Sequence, residues 1–175
     1  MGLQHLRRTA LGLACVITCG LLSPEEHAHA ATGAAALDVG ADIVATCTMV
    51  IATQLNFGTV DLSSPTPMGG NGVISVTCSN GAPIYITLGQ GLYPAPGSTD
   101  TAPLRQMSAG GADRLDYNFY RDAAGTIAWG NTTLTGAVLS GSGSNQSATI
   151  YAFVPPSQSV MSGTYQDSVL ATVTY

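Results

Sequence analysis

The sequence contains no lysine, and its three histidines and both of its glutamates lie within the first 30 residues. Serine or threonine nucleophiles need a neighbouring base, and beyond residue 30 the chain offers neither an imidazole nor an amine side chain. Zinc sites draw mainly on cysteine and histidine. The composition therefore argues against a serine hydrolase or a zinc enzyme, and we predict no catalytic residues, no cofactor and no metal site.

Charge is also scarce. Beyond residue 30 there are eight aspartates and three arginines, for a net charge of −5 (three minus eight). A lysine-free, acidic surface argues against nucleic acid and anionic membranes as partners. Aspartates such as Asp113 and Asp116, which flank Arg114, are typical of solvated turns. A glycosidase-type carboxylate pair or a calcium site is the less favoured alternative.

The first 30 residues are typical of a secretory signal peptide. Arg7 and Arg8 precede an apolar run over residues 9–22, and Ala28-His29-Ala30 provides small residues where signal peptidase cuts. Cleavage after Ala30 would leave 145 residues, enough for one domain. An uncleaved membrane anchor is the alternative. Export would place the chain in an oxidising compartment.

Nearly every later segment has the period-two alternation of β-strands, and no amphipathic helix of useful length is found. We expect about eight short strands in one domain, residues 43–175, forming a sandwich or barrel. Residues 54–60 are predicted as a strand, 63–72 as turns and 89–114 as a long irregular stretch. The final strand is expected over residues 164–175, with no tail after it.

The segment 31–46 contains a second alternating pattern, which leads into the first strand. Its apolar positions are Leu37, Val39, Ala41 and Ile43. A sheet edge left without a neighbour can accept an extended segment of another molecule, with main-chain hydrogen bonds giving affinity and alternate side chains entering pockets. Residues 37–43 could fill such a gap in another copy, or they could extend the first strand of their own domain. Alternation is compatible with both.

Cys47 and Cys78 are the two cysteines that remain after residue 30. Each lies on the apolar face of an alternating segment, which favours one intramolecular disulfide between neighbouring strands. Free thiols and intermolecular bridges are the alternatives. Trp129 and Tyr93, with the stretch 89–114, are candidate surface contacts for a carbohydrate, although a single tryptophan in an all-β domain is more often part of the core.

An ordered set of short motifs resembles the spore coat protein U domain family, the subunit fold of archaic chaperone–usher pili. The resemblance covers nearly all of the chain beyond residue 30. The matching segments are Cys47-Thr48, 55–58, 72–78, 105–107, 115–122, Trp129-Gly130, Ile150-Tyr151 and 163–169 running on to Tyr175.

The resemblance implies an all-β fold: an incomplete immunoglobulin-like β-sandwich that lacks its last strand and is completed by donor-strand exchange. It also implies a Cys47–Cys78 disulfide. A periplasmic chaperone would lend a strand during folding, and the N-terminal segment of the next subunit would replace it at an outer-membrane usher. Where many relatives have Tyr-Gly-Arg, this chain has Tyr151-Ala152-Phe153, so Phe153 is a candidate partner contact or a covered loop residue.

These observations predict an exported structural subunit of a surface pilus or of a spore or cell coat. It would polymerise with copies of itself or related subunits and would have no enzymatic activity. The alternative is a fibre-associated adhesin or carbohydrate-binding module, and a secreted hydrolase with an aspartate pair is a third possibility.

Overall fold

The computed structural model describes residues 32–175; the predicted signal peptide, residues 1–30, lies outside them. The described residues form eight strands and no helix, so the all-β prediction is confirmed. Residues 42–175 make up one compact unit. The strands are β1 (Cys47–Thr53), β2 (Met68–Cys78), β3 (Pro83–Leu88), β4 (Arg105–Ser108), β5 (Arg114–Tyr120), β6 (Ala137–Ser140), β7 (Asn145–Val154) and β8 (Ala171–Thr174).

The strands form two antiparallel sheets. The larger has the order β1-β2-β7-β5-β4, and the smaller has the order β6-β3-β8. The longest pairing in the larger sheet joins β2 to β7, from Met68 opposite Val154 to Thr77 opposite Asn145. Two antiparallel sheets whose inner faces enclose the core make a β-sandwich.

Period-two alternation correctly identified the side chains that fill the core. In β7, Ala148, Ile150, Ala152 and Val154 are buried while the residues between them are not. The same alternation buries Leu115, Tyr117 and Phe119 of β5. Each large apolar side chain buried in this way stabilises the fold by roughly 1.5–3 kcal/mol.

The prediction of turns over residues 63–72 is wrong at its C-terminal end, because Gly69–Gly72 lies within β2. A Cβ atom on Gly69 would lie 3.2 Å from the Phe153 ring, and one on Gly70 would lie 3.1 Å from the Phe57 ring. Glycine in a strand often marks such a close approach. These glycines therefore make room for two aromatic rings.

Three further segments differ from the sequence prediction. Residues 54–60 are irregular, although Leu55 and Phe57 are half-buried against the core as expected. β4 lies inside the stretch predicted to be irregular, and the last strand begins only at Ala171. A strand needs a hydrogen-bonded neighbour, and no strand of the described residues pairs with 54–60.

The predicted disulfide joins Cys47 and Cys78, which lie directly opposite each other in the β1–β2 register with Cα atoms 4.1 Å apart. It closes a loop with a sequence separation of 31, for which chain-entropy arguments give a stabilisation of roughly 3–4 kcal/mol. Next to it, the Ser79 N–H donates to the Thr46 carbonyl at 2.9 Å. The start of β1 is thereby fixed to the end of β2.

Candidate functional site: an open apolar groove

The last strand of the sandwich has one free edge. In the described part of the chain, β8 pairs with β3 on one side and with no strand on the other. The Gly89 N–H donates to the Leu170 carbonyl at 2.8 Å, and backbone groups alternate in direction along a strand. The N–H and C=O groups of Ala171 and Val173 therefore point away from β3, where another strand could pair with them.

A groove of about 920 Å³ runs beside this edge. One side, the first wall, is the segment 53–62, which comprises the last residue of β1 and the irregular residues after it. The other side, the terminal wall, is the segment 160–171. Near one end, the Ser157 N–H, which precedes the terminal wall in sequence, donates to the Leu62 carbonyl of the first wall at 3.3 Å. The floor is formed by Leu88, Met107, Leu115, Tyr117, Phe119 and Ile150.

The floor is apolar, and the walls carry apolar side chains interspersed with polar ones. The floor residues belong to the hydrophobic core, and the half-buried Leu55, Phe57, Val60 and Val169 pack against that core from the walls. Apolar surface left open to water is unfavourable at roughly 25 cal/mol per Å². The groove thus has the chemistry of a core from which one layer of side chains is missing.

One polar group on the floor is satisfied from the terminal wall. The Tyr117 hydroxyl donates to Oδ2 of Asp167 at 2.6 Å. Burial, together with this hydrogen bond and the Asp167 charge, raises the pKa of Tyr117 above its ordinary value of 10.0. The phenol therefore remains protonated and serves as a hydrogen-bond donor.

Behind the floor lies a buried arginine, Arg105, which is 1% exposed. Its guanidinium donates to the Gly89 and Leu88 carbonyls at 2.8 and 2.7 Å. It also donates to the Trp129 carbonyl at 2.9 Å and to Oδ1 of Asn118 at 2.8 Å. Burial lowers the pKa of Arg105 to about 10, so the group stays charged at neutral pH and joins the end of β3 to β5.

Three aspartates stabilise loops by accepting hydrogen bonds, and these bonds lower the pKa of each below 3.8. The principal donors are the Ile127 N–H for Asp122, the Ser63 hydroxyl for Asp61 and the Asn131 amide for Asp100. Each carboxylate favours the folded state most when it is ionised.

We expect stability to be nearly constant from about pH 5 to about pH 9, because no side chain beyond residue 30 has an ordinary pKa in that range except the disulfide-bonded cysteines. The depressed aspartate pKa values make a contribution that is complete above 3.8 and is lost as pH falls through the folded values. The melting temperature, measured across the pH range, should therefore decrease at the acidic end. Asp122→Asn should lower the melting temperature at pH 7 and make its decrease at acidic pH smaller. A decrease in the melting temperature of the parent between pH 5 and pH 9 would contradict the expectation.

The predicted donor segment has no regular secondary structure in the described residues 32–46. The side chains of Leu37, Val39 and Ile43 are 86%, 87% and 94% exposed, and Ala41 is exposed as well. The alternative that residues 37–43 extend the first strand is wrong, since β1 begins at Cys47.

Trp129 is not a surface contact. It is 1% exposed, and its indole N–H donates to the Ile86 carbonyl at 2.8 Å. Tyr93 is half-buried, with the Arg114 guanidinium 4.9 Å from the centre of its ring. Phe153 is also half-buried and packs edge-to-face on Tyr120. A role for Tyr93 or Phe153 in contacting a partner stays a prediction.

Sequence reasoning missed Arg105, Asp167 and the first wall. Arg105 alternates with Met107 in a strand, which was a usable sign that both face inward. No local pattern indicated the role of Asp167, since its hydrogen-bond partners Tyr117 and Leu92 are distant in sequence. Within residues 32–175 no group of three or more potential metal ligands occurs, and no helix is long and apolar enough to cross a membrane.

The chain has relatives among known proteins. The Spore Coat Protein U domain model matches residues 33–172. Protein U of Myxococcus xanthus is 41% identical over 172 residues, which cover 93% of this chain and 96% of that protein.

A solved structure shares the fold: the CsuC–CsuE chaperone–tip adhesion subunit pre-assembly complex from archaic chaperone–usher Csu pili of Acinetobacter baumannii. The match has a TM-score of 0.54 and 21% identity, and it covers 76% of this chain but only 40% of the other. The predicted fold class, an incomplete immunoglobulin-like sandwich of the pilus-subunit type, is confirmed. On the family match and the identity to Protein U, this chain belongs to the Spore Coat Protein U domain family.

Proposed function

We propose that this chain is a structural subunit of a surface pilus or coat, and that it polymerises by donating residues 37–43 to the groove of another copy. The open groove beside β8 carries the proposal, because it combines a free strand edge with an apolar floor. A β-strand is the ligand that satisfies both features at once.

The donor segment matches the floor of the groove in chemistry. Leu37, Val39, Ala41 and Ile43 would face the floor, and Asp38 and Asp42 would face water. Burial of Leu37, Val39 and Ile43 would contribute roughly 1.5–3 kcal/mol each, and each ladder hydrogen bond about 1 kcal/mol net.

The free strand edge also leads us to propose a chaperone and an usher as partners. A subunit with an empty groove keeps a free strand edge until it is incorporated, and such edges promote aggregation. A periplasmic chaperone that lends a strand would protect the groove, and an outer-membrane usher would exchange that strand for the donor segment. The fold of the chaperone-bound Csu tip subunit supports this route to the cell surface. In this account the chain has a structural role and no catalytic one.

Deletion of residues 31–42 tests the proposal. The truncated chain should accumulate as chaperone-bound or peptide-bound monomer, because it keeps the acceptor groove and loses the donor. A chain in which the same twelve residues are replaced by glycine and serine is the matched control for length and should behave identically. Electron microscopy and size-exclusion chromatography measure the outcome, and fibres of normal length from either chain would refute the proposal.

A further inference from the structure

Three separate parts of the sandwich meet at the carboxylate of Asp167. Its Oδ2 atom accepts a hydrogen bond from the Tyr117 hydroxyl at 2.6 Å. Its Oδ1 atom accepts from the Leu92 N–H at 2.8 Å and from the Ser168 N–H at 2.7 Å. One side chain therefore connects the groove floor, the loop that follows β3 and the terminal wall.

The loop is fitted closely around this carboxylate. Gly91 has φ of +84°, a conformation that side chains other than glycine rarely adopt. A Cβ atom on Gly91 would overlap Oδ2 of Asp167. Gly91 and Asp167 are thus mutually dependent, and the loop has little freedom to move relative to the terminal wall.

The terminal wall needs such a connection because it has few backbone contacts of its own before β8. Between residues 160 and 169, the regular pairing is a single bridge in which Gln166 exchanges two 3.0 Å hydrogen bonds with Ser108. The hydrophobic effect favours closing an empty apolar groove. A wall with so little backbone pairing would otherwise be free to close over the floor.

We propose that Asp167 is the positioning residue of the acceptor groove. Through Tyr117 and Leu92 it holds the terminal wall away from the first wall in the empty subunit, so that an incoming strand meets a preformed site. Preorganisation of this kind favours binding because less ordering is left to occur in the complex. The inference depends on the proposed function, since it assigns a residue to the strand-accepting step.

A side chain without hydrogen-bond acceptors cannot replace Asp167 in this role. The three groups around the carboxylate donate to it: the Tyr117 hydroxyl and the N–H groups of Leu92 and Ser168. Alanine at position 167 would leave all three without this acceptor, whereas asparagine could still accept from the two N–H groups and donate to the Tyr117 oxygen. We expect Asp167→Ala to slow strand docking by about tenfold.

The experiment uses the full chain with its own donor silenced by Leu37→Asn, Val39→Asn and Ile43→Asn. A fluorescent peptide of residues 32–46 is added, and its association rate is measured well below the melting temperature. We compare the silenced parent with Asp167→Ala, Tyr117→Phe and the double variant. Asp116→Ala is the matched control, since the Asp116 carboxylate is exposed, accepts from Gln106 at 2.7 Å and does not line the groove.

Asp167→Ala should bind about tenfold more slowly than the parent, and Asp116→Ala should bind like the parent. Adding Tyr117→Phe to Asp167→Ala should cause little further loss. Unchanged association in Asp167→Ala, or an equal loss in Asp116→Ala, would overturn the inference. If the parent binds no peptide, the proposed function fails instead. A variant that folds only with peptide present is tested by its dissociation rate, where equality with the parent also overturns the inference.

Discussion

Replacing Val39 with aspartate is expected to abolish polymerisation. In the proposed complex the Val39 side chain enters the apolar groove, and an unpaired carboxylate placed there would lose its hydration. The effective cost of burying an ion is several kcal/mol, which corresponds to more than about a thousandfold loss of affinity. Polymer yield from purified subunits, measured by sedimentation and electron microscopy, checks the expectation.

The neighbouring position provides the control. Asp38 should face water in the inserted strand, so Asp38→Asn removes a charge without changing the buried face, and polymer yield should remain close to that of the parent. The same alternation predicts sensitivity at Leu37, Ala41 and Ile43. Equal tolerance of aspartate at position 39 and asparagine at position 38 would contradict insertion of this segment as a strand.

Replacing Arg105 with methionine is expected to destabilise the subunit by about 3–5 kcal/mol, because several acceptors would lose this donor and each buried unpaired acceptor costs about 1–3 kcal/mol. The bonds to the Leu88 and Trp129 carbonyls are buried, and the bond to the Gly89 carbonyl is half-buried. The loss is a large part of a typical total stability of about 5–15 kcal/mol. Urea unfolding with the disulfide intact measures it.

Arg121→Met is the matched control for this experiment. The Arg121 guanidinium makes one hydrogen bond, to the Gly136 carbonyl at 2.9 Å, and its buried Nε has no acceptor among the described residues. Its removal should cost only about 1 kcal/mol. If Arg105→Met proved no more damaging than Arg121→Met, the buried arginine would not have the structural role assigned to it.

Local sequence pattern predicted best the strands whose alternating apolar side chains fill the core. β7 lies between β2 and β5, and its alternation identified Ile150 and Val154 as core residues correctly. Residues 54–60 alternate as well, yet they are not a strand. Their pattern reflects an apolar face directed at the groove, and pattern alone does not say whether a partner strand is present.

Other features depend on contacts between distant residues. Gly69 and Gly70 have the composition of a turn, and their place in β2 follows from the rings of Phe153 and Phe57 that pack on them. Trp129 could have been a surface platform, but a carbonyl of β3 accepts its indole N–H inside the core. The Cys47–Cys78 pair was predictable, since both residues alternate with apolar neighbours on adjacent strands.

The donor segment has a clear strand pattern but no partner strand among the described residues. Its alternation at Leu37, Val39 and Ile43 is plain in the sequence, and its side chains are exposed in the described chain. A pattern of this kind specifies a buried strand without specifying the molecule in which it is buried. The open groove beside β8 turns the pattern into a proposal about a second copy.

Crosslinking between copies tests the central claim most directly. A photoreactive amino acid is placed at position 39, and polymers are assembled from a mixture of isotopically light and heavy subunits before irradiation and mass spectrometry. The account predicts crosslinks to the floor and walls of the groove, at residues such as Tyr117, Ile150 and Val169, in which light and heavy chains are joined. Crosslinks confined to single chains, or to surfaces outside the groove, would contradict it.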